Sequence, residues 1–167
     1  MIKKLGLSLL LMACLLLGGH SIYASPDNTS NEEVSKFVFE AATEIMSFGF
    51  ENYDERKLQN KKYFTDDGYK SFYKAMNASR IPETIATNKR VIFPRIKCDP
   101  FVRKFDNEKW TAIFPLALSY VSGQKLLRQQ LIVELYIAKT LNGFGIVQWI
   151  AVGRDIEDIP ECIAKPY

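Results

Sequence analysis

The sequence is almost without histidine and poor in cysteine. Its only histidine is His20, and its three cysteines are Cys14, Cys98 and Cys162. Residues 21–167 therefore contain no imidazole, which excludes from them Ser-His-Asp and Cys-His catalytic groups and imidazole metal sites. No Cys-x-x-Cys spacing of a redox motif is present either. We predict a protein that is not an enzyme and that binds no cofactor and no metal.

Long runs of charge of one sign are also missing. The chain has 22 Lys and Arg against 19 Asp and Glu, interspersed as in Asp54-Glu55-Arg56-Lys57. The formal net charge is +3, and it falls to +1 without the N-terminal pair Lys3-Lys4. A basic face for a phosphate backbone is not indicated, so we predict no nucleic-acid partner.

The one long apolar run lies at the N-terminus. A basic start precedes apolar residues 5–19, and the small Ala24 stands before Ser25. This order is typical of a secretory signal peptide, and we predict residues 1–24 as that peptide, with cleavage between Ala24 and Ser25. The product would be periplasmic or secreted. Two alternatives stay open: lipidation at Cys14, or an uncleaved inner-membrane anchor over 5–24 that leaves the chain facing the periplasm.

Cleavage would leave Cys98 and Cys162 as the only cysteines. An even count in an exported chain favours a disulfide bond, although two free thiols are an alternative. The bond would close a loop of about 65 residues and stabilise the fold by on the order of 4 kcal/mol. We predict that it pins a C-terminal tail, residues 154–167, to the segment around Cys98.

The first half of the mature chain is patterned as helices. Residues 25–31 have no apolar periodicity and form a flexible lead-in. Ser30 with Glu33 fits a capping box, and apolar residues then recur at three- and four-residue spacing over 32–48. A charged helix is predicted over 52–63, and Thr65 can cap a third helix that ends before Pro82.

The second half alternates with the period of strands. Val91 begins a first strand, and alternation over 110–120 and 131–137 predicts two more, joined by a hairpin at Gly123. Residues 145–152 make a fourth. The fold class is therefore α+β: three N-terminal helices packed on a curved antiparallel sheet of three or four strands, in one domain over 32–153.

The strands are unusually apolar on the side opposite the main alternating set. These residues are Ile113, Pro115, Ala117, Val121, Ile132, Tyr136, Ala138, Val147, Trp149 and Ala151. An antiparallel sheet with one wet face would be more polar there. Either the sheet curls so that both faces are partly covered, or this face meets a partner.

Several motifs resemble the DotI/IcmL family over residues 40–153. The first is Asn52-Tyr53 followed by Tyr63-Phe64-Thr65 and Gly68-Tyr69, and the second is Gly143-Phe144-Gly145 with Gln148. The resemblance implies a nuclear-transport-factor-like cone in a periplasmic domain of a type IVB (Dot/Icm) secretion system, tethered to the inner membrane and acting by protein contact. Its partners would be secretion-system subunits or a second copy. The motif residues also suit structural roles in helix ends, close packing and turns.

Other function classes remain as alternatives. A secreted effector or a soluble periplasmic protein could have kept the fold and left the secretion machine. A small-ligand-binding cone could be lined by Phe93, Trp110, Phe114 and Tyr120. An enzyme of this fold would need a carboxylate such as Asp99, Asp106 or Glu134 near Tyr120 or Tyr136. The charged helix over 52–62 and the second sheet face are the predicted contact surfaces.

Overall fold

The computed structural model describes residues 30–154, which form four helices, a 3₁₀ turn and one five-stranded sheet. The helices are α1 (Asn31–Met46), α2 (Tyr53–Gln59), α3 (Asp66–Ala78) and α4 (Ile81–Thr87), with the 3₁₀ turn Asn60–Tyr63 after α2. The strands are β1 (Val91–Ile96), β2 (Phe101–Asp106), β3 (Lys109–Ser122), β4 (Lys125–Thr140) and β5 (Gly143–Arg154). The α+β class is confirmed.

The helix starts follow the sequence signals. Ser30 accepts a hydrogen bond from the Glu33 amide at 3.2 Å, and the Glu33 carboxylate accepts one from the Ser30 amide at 3.0 Å, which completes the capping box. Thr65 caps α3 in the same way by accepting from the Gly68 amide at 3.1 Å. These side chains satisfy amides that have no partner within the first helical turn.

Helix α4 was not predicted. Pro82, expected to mark the exit of the third helix, lies in the first turn of α4, where a missing N–H costs nothing. Only Ile85 of α4 is buried, so the seven residues carry too little apolar periodicity to indicate a helix. The sequence therefore predicted one helix too few.

The sheet is antiparallel, and its first edge consists of two short strands placed end to end. β1 pairs with residues 116–121 of β3, and β2 pairs with residues 109–113. β4 and β5 follow on the other side of β3. β2 was not predicted, because four of its six residues are exposed and Val102 is its only apolar residue in the core-facing register. The sheet has five strands rather than three or four.

The helices pack on one face of the sheet and enclose the core with it. Trp110 and Phe114 of β3 are fully buried there, as are Val34 and Val38 of α1. At 25–30 cal/mol per Å² of apolar surface, such complete burial of a large side chain is worth about 2–3 kcal/mol each. The face opposite the helices is called the outer face below.

A bulge in β5 reverses the predicted facing of its C-terminal half. Tyr136 pairs with Gln148 but Ile137 pairs with Ile146, so Val147 is an extra residue. Trp149 consequently lies on the core side, where its ring stacks on Phe72 at 5.3 Å. The expectation that Trp149 and Ala151 face outward was wrong. One extra residue shifts a period-two pattern to the other face.

Candidate functional site

Asn52 and Tyr53 shape the turn between α1 and α2. Asn52 accepts a hydrogen bond from the Gly49 amide through Oδ1 at 2.7 Å. The Tyr53 ring packs on Phe48 at 5.3 Å, and its hydroxyl is buried with no hydrogen-bond partner within the described chain. Burial raises the pKa of Tyr53, so its hydroxyl is neutral at physiological pH. Both residues hold the turn in place.

Tyr63, Phe64 and Tyr69 belong to an aromatic cluster between the helices and β5. The Tyr63 hydroxyl donates to Glu40 at 2.8 Å, and burial, followed by this bond, raises the Tyr63 pKa well above its usual range. Phe64 stacks on Phe72 at 5.1 Å. Tyr69 donates to the Lys57 carbonyl at 3.1 Å. Every one of these contacts is internal to the fold.

Thr65, Gly68 and Gly145 form the junction at which α3 meets β5. The Thr65 amide donates to the Ile146 carbonyl at 3.1 Å. A Cβ on Gly68 would overlap that same carbonyl oxygen, and a Cβ on Gly145 would lie 3.1 Å from the Thr65 methyl group. Both glycines are therefore needed for close approach, and the two halves of the family motif meet here.

Gly143 and Gln148 lie at either side of this junction on β5. Gly143 follows the β4–β5 turn with a φ of 113°, a region that favours glycine, although a Cβ there would meet no other atom within 4 Å. Gln148 is exposed and pairs with Tyr136 beside the bulge. Gly145 is buried at the junction, whereas Gly143 and Gln148 are exposed.

Some charged side chains of the helix over 52–62 bind other parts of the chain and not only solvent. Arg56 binds the Glu44 carboxylate at 2.6 Å and the Ser47 carbonyl at 3.0 Å, which ties α2 to the end of α1. Lys57 lies over the Tyr73 ring at 5.5 Å. Leu58, 73% exposed, is the apolar residue that this helix offers to solvent. Part of the charge on this helix therefore stabilises the packing of α2 on α1.

Three predicted features lie partly or wholly outside the described residues. Cys98 is half-buried in the bend between β1 and β2, whereas Cys162 and the tail over 155–167 are outside. The cleavage site at Ala24 and Ser25 is outside as well. The disulfide and the processing of the leader therefore stay predictions.

The carboxylates considered for catalysis are not placed in a buried site. Asp99 and Asp106 are exposed, and Asp106 pairs with Lys109 at 3.3 Å. Glu134 lies on the outer face beside Tyr136, and its charge raises the Tyr136 pKa. A general acid or base has to sit within hydrogen-bond reach of a bound substrate, and none of these three carboxylates lies in an enclosed cleft of the described chain.

The aromatic residues considered for a ligand pocket separate in the structure. Trp110 and Phe114 are core residues, and Phe93 is 54% exposed on the outer face. Tyr120 lines a cleft of about 400 Å³ between α4 and the ends of β3 and β4, and Phe93 lines a smaller one of about 170 Å³ beside the turn after α1. We call the region of the larger cleft the open end of the cone.

The open end combines apolar and basic side chains that the sequence did not single out. The cleft is lined by Ile81, Thr84, Ile85, Arg90, Tyr120, Leu127, Arg128 and Gln129. Leu126 and Leu127 are 49% and 51% exposed. Within residues 30–154 no ion pair involves Arg90 or Arg128. The Leu126-Leu127-Arg128 run directly after the Gly123 hairpin was the available sequence signal.

The family described as "Type-IV b secretion system, inner-membrane complex component" matches residues 21–152 of the sequence. The chain belongs to the DotI/IcmL family. This confirms the resemblance carried by the Tyr63-Phe64-Thr65 and Gly143-Phe144-Gly145 motifs. No match was found among curated protein sequences.

Solved structures show the same fold as this DotI/IcmL chain. An IcmL-like type IV secretion system protein from Legionella pneumophila has a TM-score of 0.73 and 24% identity, over 75% of this chain and 94% of that one. The periplasmic domain of DotI has a TM-score of 0.67 and 22% identity, over 74% and 95%. An NTF2-like superfamily protein from Salmonella enterica has a TM-score of 0.54 and 12% identity, over 83% and 100%.

Two features are absent from the described part of the chain. No helix within residues 30–154 combines the length and the apolar character needed to cross a bilayer. The same stretch holds no group of three or more His, Cys, Asp or Glu side chains that could bind a metal ion.

Proposed function

We propose that this DotI/IcmL chain is a non-enzymatic periplasmic protein that acts by protein-protein contact in or near a type IVB secretion complex. Membership of a family described as an inner-membrane complex component supports a role within that machine. Similar folds in the periplasmic domain of DotI and in a periplasmic fragment of TraM support the compartment. The roles of Thr65, Gly68 and Gly145 in a helix cap and in close packing favour a scaffold over a catalyst.

The open end is the surface that we propose for contact with another secretion subunit. The observation that carries this proposal is the adjacency of half-exposed Leu126 and Leu127 to Arg90 and Arg128, which have no ion pair in the described chain. Apolar side chains supply the energy of an interface when they leave water, and arginines orient a partner that bears carboxylates. A partner segment with an apolar residue beside an acidic one fits this surface.

Co-purification from cells that carry the secretion system tests the proposal. Leu127→Glu puts a charge into the contact and should weaken binding by about 2–3 kcal/mol, or roughly 30- to 150-fold. Leu141→Glu is the matched control, because Leu141 is fully exposed in the β4–β5 turn, away from the open end. We expect the control to co-purify with secretion subunits as the wild type does, and Leu127→Glu to lose them.

Recovery of the wild type without any secretion subunit would contradict the proposal. A chain found only in the soluble periplasmic or external fraction would instead favour a secreted or periplasmic factor that has left the machine. Equal co-purification of wild type, Leu127→Glu and Leu141→Glu would leave the complex in place but remove the open end as its contact surface.

A small anionic ligand is a second candidate for the same cleft. A volume of about 400 Å³ lies within the range of small-molecule sites, and Arg90 and Arg128 provide positive charge there. A thermal-shift screen of small carboxylates and phosphates would detect such a ligand. Stabilisation that disappears in Arg90→Ala would support it, and an unchanged melting temperature throughout the screen would speak against it.

A further inference from the structure

The outer face of the sheet is apolar at its centre, yet no described helix packs on it. Its side chains include Phe93, Ile113, Pro115, Ile132 and Val152, all in the register opposite the buried set of β3 and β4. Phe105 joins them through its ring contact with Tyr136 at 6.3 Å. A sheet face of this composition is usually covered by something.

Exposure on this face falls from the rim towards the centre. Phe93 and Val152 at the rim are 54% and 51% exposed. Ile113 and Ile132 are half-buried, and Pro115 between them is buried. A strip centred on Pro115 and Ile132 is therefore the most protected part of the face, and it is narrow enough for one extended chain.

This strip ends at the break between β1 and β2. β1 stops at Ile96, opposite Leu116, and β2 starts at Phe101, opposite Ile113. Pro115 consequently has no strand partner on that side, and the bend over 97–100 stands beside it. Cys98 lies in this bend and is half-buried.

The other end of the strip is the point where β5 finishes. Arg154 is the last residue of β5, and pairing places it in one row across the sheet with Gln130, Ala117 and Arg95. From Arg154 to Arg95 the row crosses three strand spacings of about 4.8 Å, or roughly 14 Å. Cys98 lies three residues further along the chain, so the whole path from Arg154 to Cys98 is roughly 20 Å. The eight steps from residue 154 to residue 162 span up to about 26 Å when extended. Cys162 can thus reach Cys98 directly across the face.

The residues that follow β5 match the face in chemistry. The sequence over 155–162 is Asp-Ile-Glu-Asp-Ile-Pro-Glu-Cys, with four carboxylates and no basic residue. Arg95 and Arg103 lie in the outward register of β1 and β2, and neither has an ion pair within residues 30–154. Ile156 and Ile159 are the apolar residues that this segment can bring to the strip.

We propose that residues 155–162 cross the outer face from the end of β5 to the bend at Cys98, and that a Cys98–Cys162 disulfide fixes them there. Ile156 and Ile159 cover the strip around Pro115 and Ile132. Forming the bond removes two protons and two electrons from the two thiols. A protein disulfide of the export compartment accepts them through a mixed disulfide and becomes a dithiol. The chain's own tail thus occupies the face that an interaction partner would otherwise meet, which leaves the open end as the free contact surface.

Mass spectrometry of the full exported chain gives the first test. The unreduced protein should be two hydrogens lighter than the reduced one, and digestion without reductant should yield a peptide that joins Cys98 to Cys162. Two free thiols, or a bond of either cysteine to another molecule, would overturn the proposal. This test does not depend on a secretion complex, so it can fail while the proposed function stands, and the reverse also holds.

Oxidative footprinting of the side chains gives the second test. In the oxidised wild type, labelling of Ile113 and Ile132 should be low, and it should rise several-fold in Cys162→Ser and in Ile159→Asp. Leu141, fully exposed in the β4–β5 turn, should be labelled equally in all three proteins and serves as the internal control. Ile159→Asp keeps both cysteines, so it separates coverage of the face from loss of the bond.

The oligomeric state distinguishes the tail from a second copy of the chain. Self-association that appears only in Cys162→Ser would support the proposal, because it follows uncovering of the face. Equal labelling of Ile113 and Ile132 in wild type and both variants would overturn it. So would a wild-type dimer whose protection of these residues is lost on dilution, since the occupant would then be a second copy.

Discussion

Gly68→Ala tests whether the junction between α3 and β5 is as tight as the structure shows. In an isolated helix this change is favourable by up to about 1 kcal/mol. In the fold the added Cβ would overlap the Ile146 carbonyl oxygen and lie 3.0 Å from the Val147 carbonyl oxygen. Both obstacles are backbone atoms of a paired strand, so α3 has to move. Overpacking of this kind costs about 1–3 kcal/mol, and occasionally more.

Movement of α3 would also weaken the hydrogen bond from the Thr65 amide to the Ile146 carbonyl, now 3.1 Å long, at a cost of about 1 kcal/mol. Clash and lost bond together exceed the gain in helix propensity. We therefore expect Gly68→Ala to lower the free energy of unfolding by about 2 kcal/mol, which corresponds to a fall in melting temperature of roughly 8 °C.

Urea denaturation followed by tryptophan fluorescence measures this change, since the Trp149 ring stacks on Phe72 of α3. Ser71→Ala is the matched control, because Ser71 is exposed on the same helix and its replacement should change stability by less than about 0.5 kcal/mol. A Gly68→Ala protein as stable as the wild type, or more stable, would show that propensity outweighs packing here and would refute the reasoning.

Two further predictions concern a helix cap and a buried hydroxyl. Ser30→Ala removes the hydroxyl that accepts from the Glu33 amide and should cost about 1 kcal/mol, measured by thermal unfolding; an unchanged melting temperature would contradict the cap. Burial raises the pKa of Tyr73 to about 12, above its value of about 10 in the unfolded chain. The buried neutral hydroxyl therefore contributes its full stability below pH 10, and this contribution is lost between about pH 10 and 12. Urea denaturation across that interval should show this decline, and Tyr73→Phe should make it shallower; equal slopes would count against a buried, neutral Tyr73.

If the tail covers the outer face, contact with a partner moves to the end of the cone. The outer face would then be an internal surface, and its apolar residues would stabilise the fold rather than an interface. The open end, with half-exposed Leu127 and with Arg128 outside every ion pair of residues 30–154, keeps the mixture of apolar and basic character that suits recognition. Reduction of the disulfide would then expose the outer face as a second surface.

The parts of the fold that sequence patterns predicted are those with long periodic segments. α1 and β3 bury one whole face each, so their apolar spacing is complete, and Ser30 and Thr65 mark helix starts through local bonds. β2 and α4 were missed because each adds few apolar residues to the core. β2 pairs with the following strand, β3, and α4 contacts the preceding helix, α3. Short elements of this kind leave little pattern in the sequence.

The roles of the motif residues could be predicted only in part. Thr65 as a cap and Gly143 in a turn follow from residue type and local order. The meeting of Gly68 and Gly145 at one junction does not, because nearly eighty residues separate them in the chain. The bulge that turns Trp149 inward is likewise invisible in the alternation of β5.

The sequence alone determined the α+β order, the helix caps, the family and the shortage of groups for catalysis, because these depend on local spacing and residue type. Only the tertiary structure decided which face of β5 joins the core, why Gly68 tolerates no side chain, and that Leu127, Arg90 and Arg128 converge at the open end. The physical reason is the same in each case. Register, backbone approach and surface clustering arise from contacts between residues far apart in the chain, which no local pattern records.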